Sequence, residues 1–387
     1  MTRASAAVIG AGVMGASTVY HLARRGWRDV LIVDRSAAPG DGSTGRATGG
    51  FRAQFGTAVN VRLSLLAREA LQRFPEEIGC DPGYVQAGYL WLACTDQERE
   101  SLRAALRVQH ESGLPEAKEV DLADTHRLNP AVNLDGILSG TYCPTDGFLR
   151  PLAILNGYLD AAARLGVRVH WGTEVTGMKR GSDSRILHLE TSRGTISVDS
   201  VVNAAGAWAG PVAAMANVHL PVIPLRRQAA PTTPCDLLPE RMPMTIFVGD
   251  GFHLRVRDGR VLLLKPTPGV PGRPFDASVD PEWIDDVTRI ARERVPALRN
   301  TAIDREACWA GLYEMSPDHH AILGEAPGCR NFYLINGSSG HGVMHAPALG
   351  MLLAEIMTDG RATTLDVEAL SPERFDKAGA EVRPELL

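Results

Sequence analysis

Ala6-Ala7-Val8-Ile9-Gly10-Ala11-Gly12-Val13-Met14-Gly15 stands near the start of the chain. Val30-Leu31-Ile32-Val33-Asp34 follows, after an amphipathic stretch to Arg25 and a single Gly26. The order is apolar run, glycine turn, amphipathic run, apolar run, acid. It predicts strand, turn, helix and strand, the βαβ unit that binds dinucleotides. Gly10 permits the tight turn, Gly12 lets the backbone approach a pyrophosphate, and Gly15 lets helix and strand pack closely. A pyrophosphate at the helix start meets free N–H groups and the positive end of the helix dipole. Asp34, nineteen residues after Gly15, can accept hydrogen bonds from ribose hydroxyls. This unit serves FAD and NAD alike.

The rest of the composition narrows the class. A chain of 387 residues with 44% hydrophobic content can bury a large core, as two domains or one α/β domain with an inserted lobe. A net charge of −5 makes no electrostatic case for nucleic acid. No apolar run approaches the roughly 20 residues of a membrane helix. The first strand begins almost at once, so we expect no signal peptide. The six cysteines are scattered without a CxxC pair, which argues against zinc, iron–sulfur or a disulfide framework. The expectation is a reduced, cytoplasmic protein. His319-His320 beside Asp318 lacks a third ligand in sequence, so no metal is expected. No GxSxG or other nucleophile signature is present.

Further along, residues 39–50 form a glycine and hydroxyl loop, and 59–78 carry helical spacing. Strands are expected at 84–93 and helices at 96–112, 121–128 and 151–165. A strand at 167–171, another at 173–179, and a hairpin of 185–191 with 194–199 lead to the buried strand 201–209. From 221 to 310 prolines are dense, strands at 244–248, 252–257 and 260–265 alternate with turns, and a charged helix spans 281–294. Asn331-Phe-Tyr-Leu-Ile-Asn336 then runs into Gly337-Ser-Ser-Gly-His-Gly342 and a helix at 345–358. There are thus two glycine-rich strand–turn–helix sites, nearly a whole chain apart. A large flavin cofactor needs both; a nicotinamide cofactor needs one. The expected fold is α/β (α+β): a Rossmann-like FAD-binding domain of residues 1–83, 144–220 and 311–387, and a mainly antiparallel substrate-binding domain of 84–143 and 221–310.

Five pieces occur in a telling order: Val8-Ile-Gly-Ala-Gly-Val-Met-Gly15, Gly42-Ser-Thr-Gly45, Val202-Asn-Ala-Ala-Gly-Ala-Trp208, Trp309-Ala-Gly-Leu-Tyr-Glu-Met-Ser-Pro-Asp318 and Gly337-Ser-Ser-Gly-His-Gly342. Together they resemble the FAD-dependent amine and amino-acid oxidoreductases of the D-amino-acid oxidase superfamily. The likeness is to its branch of sarcosine oxidase β-subunits, dimethylglycine dehydrogenases and proline dehydrogenases. The resemblance implies that Gly10, Gly12, Val13, Met14 and Gly15 meet the FAD pyrophosphate, and that Asp34 and Arg35 lie at the adenosine ribose. It places Ser43, Thr44 and Arg46 along the pyrophosphate and ring, Val175 at the adenine, and Ala205, Gly206 and Trp208 against the cofactor. Gly311, Gly340, His341, Gly342, Val343 and Met344 fall at the flavin. N–H groups at the start of the last helix would face its N1/C2=O edge, where negative charge gathers on reduction.

Two departures from the family pattern matter. Gly311 occupies the place of the cysteine that attaches flavin in some relatives, and the loop after the first βαβ unit lacks a histidine, so FAD is expected to be non-covalent. Met344 replaces the lysine that pairs with an arginine at the place of Arg52, so half of a carboxylate clamp is missing. Arg52 can still hold a carboxylate bidentately, and Tyr313, His253, Arg255 and Met344 complete the expected substrate contacts. Lys265 ends an apolar strand and is expected, with Arg52 and Tyr313, to serve the chemistry as a cation near the flavin. The implied reaction is oxidation of the C–N bond of a secondary or tertiary amine, an N-methyl amino acid (sarcosine-like) or an imino acid. It proceeds by hydride transfer to flavin N5 and hydrolysis of the imine, with oxygen or another acceptor taking the electrons. Alternatives are a D-amino-acid or glycine oxidase or dehydrogenase, a nicotinamide dehydrogenase, and a non-catalytic flavoprotein acting in assembly. A partner subunit or a homo-oligomer is compatible with each.

Overall fold

The strand Thr2–Ile9 is buried from Ala6 to Ile9, and its side chains divide between two cores. Ala6 and Val8 face one apolar cluster, Ala7 and Ile9 the other. A strand buried on both faces reads as an unbroken apolar run, which is why this one carries no alternation. It lies parallel between Val30–Val33 and Gly194–Asn203. The sheet continues outward to Arg168–His170 on one side and to Phe332–Asn336 and Ile322–Glu325 on the other. The hairpin of Val175–Arg180 and Ile186–Thr191 is joined to Gly194–Asn203. The computed structural model describes residues 2–267 and 272–375. Residues 376–387 of the expected segment 311–387, and 268–271 of 221–310, lie outside the described residues.

A second sheet of eight strands is antiparallel except where Met244–Phe247 runs parallel to Tyr89–Ala93. Its order is Trp309–Met315, Ile223–Pro231, Arg260–Lys265, His253–Arg257, Met244–Phe247, Tyr89–Ala93, Ser139–Cys143 and Lys118–Val120. Alternation sorts its side chains. Leu90, Leu92, Leu254, Val256, Val261 and Leu263 pack on Trp283, Ile284, Val287 and Ile290 of the helix Pro281–Arg294. Tyr89, Trp91, Met244 and Ile246 form a separate cluster on the opposite face. The strand Trp309–Met315 pairs along its length with Ile223–Pro231 and so runs across the expected boundary at 310/311.

Two expected helices differ in extent. The stretch 59–78 is two helices, Ala58–Gln72 and Phe74–Glu77. Pro75 cannot continue the first, because its ring meets the carbonyl four residues back and it has no N–H to donate. The last long helix begins at Gly342, three residues before expectation, and takes Pro347 inside it.

That helix, Gly342–Asp359, packs on the first helix, Val13–Arg24, from the far end of the chain. Ser17 Oγ donates to the Ala346 carbonyl at 2.8 Å. A Cβ at Gly350 would lie 2.2 Å from Ser17 Oγ and 2.8 Å from the Ser17 carbonyl carbon. The helix starts therefore sit side by side: a Cβ at Gly342 would be 3.5 Å from Met14 Cε. Alanine is favoured over glycine inside a helix by about 1 kcal/mol, so the sign of Gly350→Ala reports the contact. We expect net destabilisation, by about 1–3 kcal/mol as for an overpacked core, seen as a lower Tm. A raised Tm would show that the helices can part without loss.

Candidate active site

One cavity of about 860 Å³ runs between the two sheets and touches both glycine-rich turns. At its first end Gly10 has φ +107°, and a Cβ there would lie 2.4 Å from the Ala204 carbonyl oxygen. Gly15 is closed in by the Gly10 carbonyl oxygen at 2.0 Å. Gly12 differs: φ is −71°, and only Thr44 Oγ1, at 3.5 Å, comes near a Cβ there. Protein packing does not require glycine at this position. The helix Val13–Arg24 has no side-chain cap and no acid in its first turn. Its Val13 N–H donates to Thr44 Oγ1 at 3.1 Å. Asp34 Oδ2 accepts from Ala11 N at 2.6 Å and Oδ1 from Ser36 N at 2.7 Å. An ionised carboxylate has about four acceptor sites, so Asp34 keeps capacity for hydroxyls. Arg35 stands over the Trp208 ring at 3.9 Å, beside Val175, Ala205 and Gly206 in the wall.

The loop 39–47 crosses to the second sheet and is fastened there. Ser43 Oγ donates to Leu312 O at 2.6 Å, Arg46 Nη1 to Ala310 O at 2.9 Å, and Trp309 Nε1 to Arg46 O at 2.8 Å. Ser43 and Arg46 line the cavity as expected in position, but these polar groups tie the loop down. Gly311 packs on them, its Cβ direction meeting Arg46 Cβ at 3.1 Å.

At the other end Gly340 has φ +94°, and a Cβ there would lie 2.3 Å from Tyr313 Cε2. The helix Gly342–Asp359 begins without a side-chain cap or a first-turn acid, and Gly342, Val343 and Met344 line the cavity. His341 is held neutral by burial and by Arg52. Its Nε2 is 3.1 Å from Arg52 Nη2. A guanidinium has only donors, so this nitrogen accepts. Arg52 also donates to Gln54 O at 2.7 Å and lies 3.9 Å over the Phe55 ring. Nearby Asp146 is wholly buried, accepts from Ala53 N and Gln54 Nε2, and is pushed up to about 6 by burial, against the pull of those bonds and of Arg52. The charge of Arg52 is thus answered inside the protein.

The cavity-facing side of the second sheet carries Tyr89, Trp91, Met244, Ile246, His253, Arg227 and Tyr313. His253 donates from Nδ1 to Gly251 O at 2.8 Å. Burial lowers it to about 4, and Arg227 and Arg52 add to the effect. Tyr313 is surrounded by protein yet 36% exposed, and that surface opens into the cavity. Sequence reading passed over Arg227 and the Tyr89, Trp91, Met244 and Ile246 wall. Strand alternation with Tyr313 and His253 was the signal available. It also passed over Glu314, which burial pushes up to about 7. Glu314 Oε2, both Asn336 side-chain polar atoms and Ser338 Oγ lie buried without hydrogen-bond partners among the described residues, beside the second glycine turn.

Two expected residues are elsewhere. Lys265 stands at the cavity edge, but its Nζ is 2.6 Å from Asp286 Oδ2 on the helix Pro281–Arg294. Leu264 faces the cavity, so period two turns Lys265 to the helix side with Leu263. The cation expected over the cavity is therefore ion-paired behind the sheet. Arg255 shares a strand face with His253, yet it donates to Thr48 O and Gly49 O and covers the Phe148 ring at 3.6 Å. It braces the loop before Arg52 and does not line the cavity.

The comparisons agree with this geometry. The family model described as DAO, FAD dependent oxidoreductase, matches residues 5–356. Mitochondrial dimethylglycine dehydrogenase of Rattus norvegicus is 28% identical, over 97% of this chain and 45% of its own length. Glycine oxidase of Geobacillus kaustophilus is 27% identical, over 98% and 99%. The crystal structure of L-proline dehydrogenase from P. horikoshii has a TM-score of 0.87 at 30% identity, over 97% of this chain and 98% of that one. The chain spans about half the length of the mammalian dehydrogenase it matches. It belongs to the DAO family of FAD-dependent oxidoreductases.

The cavity suits FAD on three counts. Gly12 is open where packing makes no demand, two helix starts without acids adjoin one space, and Asp34 has acceptor capacity to spare. Gly12→Ala should therefore leave the unfolding free energy of the apoprotein within about 0.5 kcal/mol of wild type, while the FAD retained through gel filtration falls severalfold. Full FAD retention would mean that no ligand backbone approach occurs at Gly12.

Proposed function

We propose that this FAD-dependent oxidoreductase oxidises the C–N bond of a secondary or tertiary amine, an N-alkyl amino acid or cyclic imino acid, and yields an imine (from a tertiary amine, an iminium ion) that water hydrolyses. The observation that carries the reading is the cavity itself. It joins two helix starts without first-turn acids to an apolar and cationic sheet face. The FAD, when bound, would take a hydride, which carries both electrons, from the substrate carbon. The names of two relatives, dimethylglycine dehydrogenase and L-proline dehydrogenase, support a tertiary or secondary amine. Glycine oxidase supports the second reading, a primary amino acid.

In this reading Gly10, Gly12, Val13 and Thr44 hold the pyrophosphate and Asp34 the ribose. The 340–343 backbone stabilises charge on the ring. The chain's part in the chemistry is to hold the amine neutral and dry. Arg52 and Arg227 line the same cavity, and cations there disfavour an ammonium. His253 and His341 are held too far below the usual histidine range to serve as strong bases. The amine therefore reacts in its free-base form. At subsaturating substrate, flavin reduction should rise tenfold per pH unit and level off at the free amine's own ionisation, with no break from an enzyme histidine near pH 6–7. A descending limb there would contradict the reading.

FAD is held without a covalent bond. Gly311 has no nucleophile, and Cys308 lies with the core behind the second sheet, its thiol on Asp304 O. Acid precipitation should leave all the yellow colour in the supernatant; a coloured pellet would refute this. The reaction itself is tested by anaerobic mixing with sarcosine, dimethylglycine, proline, glycine and D-alanine. Bleaching by N-alkyl or imino acids, and weakly or not at all by glycine and D-alanine, is the expected result. Bleaching by primary amines alone would favour the second reading, and no bleaching by any amine a non-catalytic flavoprotein. Electrons then pass to oxygen or another acceptor. The six free thiols of the chain suit a reduced, cytoplasmic setting.

A further inference from the structure

Resting on that reading, we infer that Arg227, together with Tyr313, is the receptor for the substrate's carboxylate, and that Arg52 is not. The two arginines share a cavity but differ in what answers their charge. Arg52 stands beside a buried carboxylate, Asp146, and its guanidinium is engaged by the Gln54 carbonyl, His341 and the Phe55 ring. It is 5% exposed. Among the described residues no carboxylate is close enough to Arg227 to perturb it, and Tyr313 is the one titratable neighbour that raises its pKa against the cost of burial.

The geometry leaves one side of Arg227 open. It lies on Ile223–Pro231 directly across from Gly311, where no side chain intervenes. Nη1 donates to Thr267 O at 2.8 Å and to Arg226 O at 3.2 Å, which fixes the plane of the guanidinium. Nε and Nη2 make no hydrogen bond to a described residue, and neither does the Tyr313 hydroxyl. The Arg227 guanidinium carbon is 5.4 Å from the Tyr313 ring centroid. A half-buried guanidinium with a fixed plane, free donors and a phenol beside it matches a planar carboxylate, which accepts two parallel N–H bonds. A charge left unanswered in a partly dry cavity is costly, and an anionic ligand removes that cost.

The same surroundings define the substrate class further. The adjoining wall is Tyr89, Trp91, Met244 and Ile246, all apolar or aromatic. Among the described residues no carboxylate on this side of the sheet is placed to hold an ammonium. Asp34, Asp41 and Glu174 lie toward the first glycine turn, and Glu314 points to the 336–338 turn. The site takes a monocarboxylate with an uncharged amine and a compact hydrocarbon frame.

The test is binding of cyclopentanecarboxylate, which has the frame and the carboxylate of a cyclic imino acid but no nitrogen to oxidise. Its neutral partner is cyclopentanecarboxamide. Binding to the FAD-loaded enzyme is read from the visible difference spectrum of the flavin, so turnover is not needed. Wild type should prefer the carboxylate, and Arg227→Met should weaken it by about 10- to 150-fold, the loss of one charge-assisted bond, while leaving the carboxamide unchanged. Tyr313→Phe should weaken the carboxylate by a smaller factor. Should Arg227→Met not retain FAD, Arg227→Lys decides: weaker carboxylate binding with normal FAD content is expected. Equal affinity of wild type for the two probes, or equal carboxylate affinity in wild type and either Arg227 variant, overturns the assignment. Either result stands apart from amine bleaching, which tests the reaction.

Discussion

The contact between Ser17 and Gly350 is the constraint on which the site depends. It joins two helices that begin some 330 residues apart in the chain, and it leaves no room for a single added carbon. Its consequence is at the starts of those helices. Because they pack so closely, their N-termini adjoin one space, and each arrives without a cap from its own N-cap residue and without a first-turn acid. Two helix starts without acids in one cavity favour an anion there. A cofactor with a pyrophosphate at one end and a reducible ring at the other answers both.

The second sheet supplies what the first cannot. Its two faces have opposite tasks, and alternation keeps them separate. One packs on the helix Pro281–Arg294, the other closes the cavity with aromatic and aliphatic side chains. Polar groups on the closing face are few, and burial holds its histidine neutral. Such a surface excludes water and disfavours an ammonium. It is suited to presenting a neutral amine to a ring, and it offers the substrate one unanswered cation.

The strand–turn–helix at the N-terminus was legible because its signal is local. Three glycines, an apolar run on each side and an acid at the right distance mean the same thing in any context where helix and strand can form. The second glycine turn was legible for the same reason, and so was Asp34. Gly12 and Gly340 read alike in sequence, yet the structure separates them. Gly340 is closed in by Tyr313, whereas a Cβ at Gly12 would meet only Thr44 Oγ1, at an ordinary contact distance. The helix 59–78 was misread across Pro75 because apolar periodicity continues past the break. Lys265 was misread because a strand's end does not reveal which face its last side chain takes until a neighbour fixes the parity; here Leu264 faces the cavity.

What the sequence by itself determined is the family, the fold class and the cofactor, since these rest on backbone demands written into short runs of glycine and apolar residues. What only the tertiary structure decided is which charges are free to act. Arg52, Arg227, Arg255 and Lys265 are four cations near one cavity, equivalent in sequence. Folding gives Lys265 to Asp286, sets Arg255 on two loop carbonyls and Arg52 near Asp146, and leaves Arg227 without an acid among the described residues. A charge acts through its surroundings, and those come from strands far apart in the chain, so no local pattern can carry them.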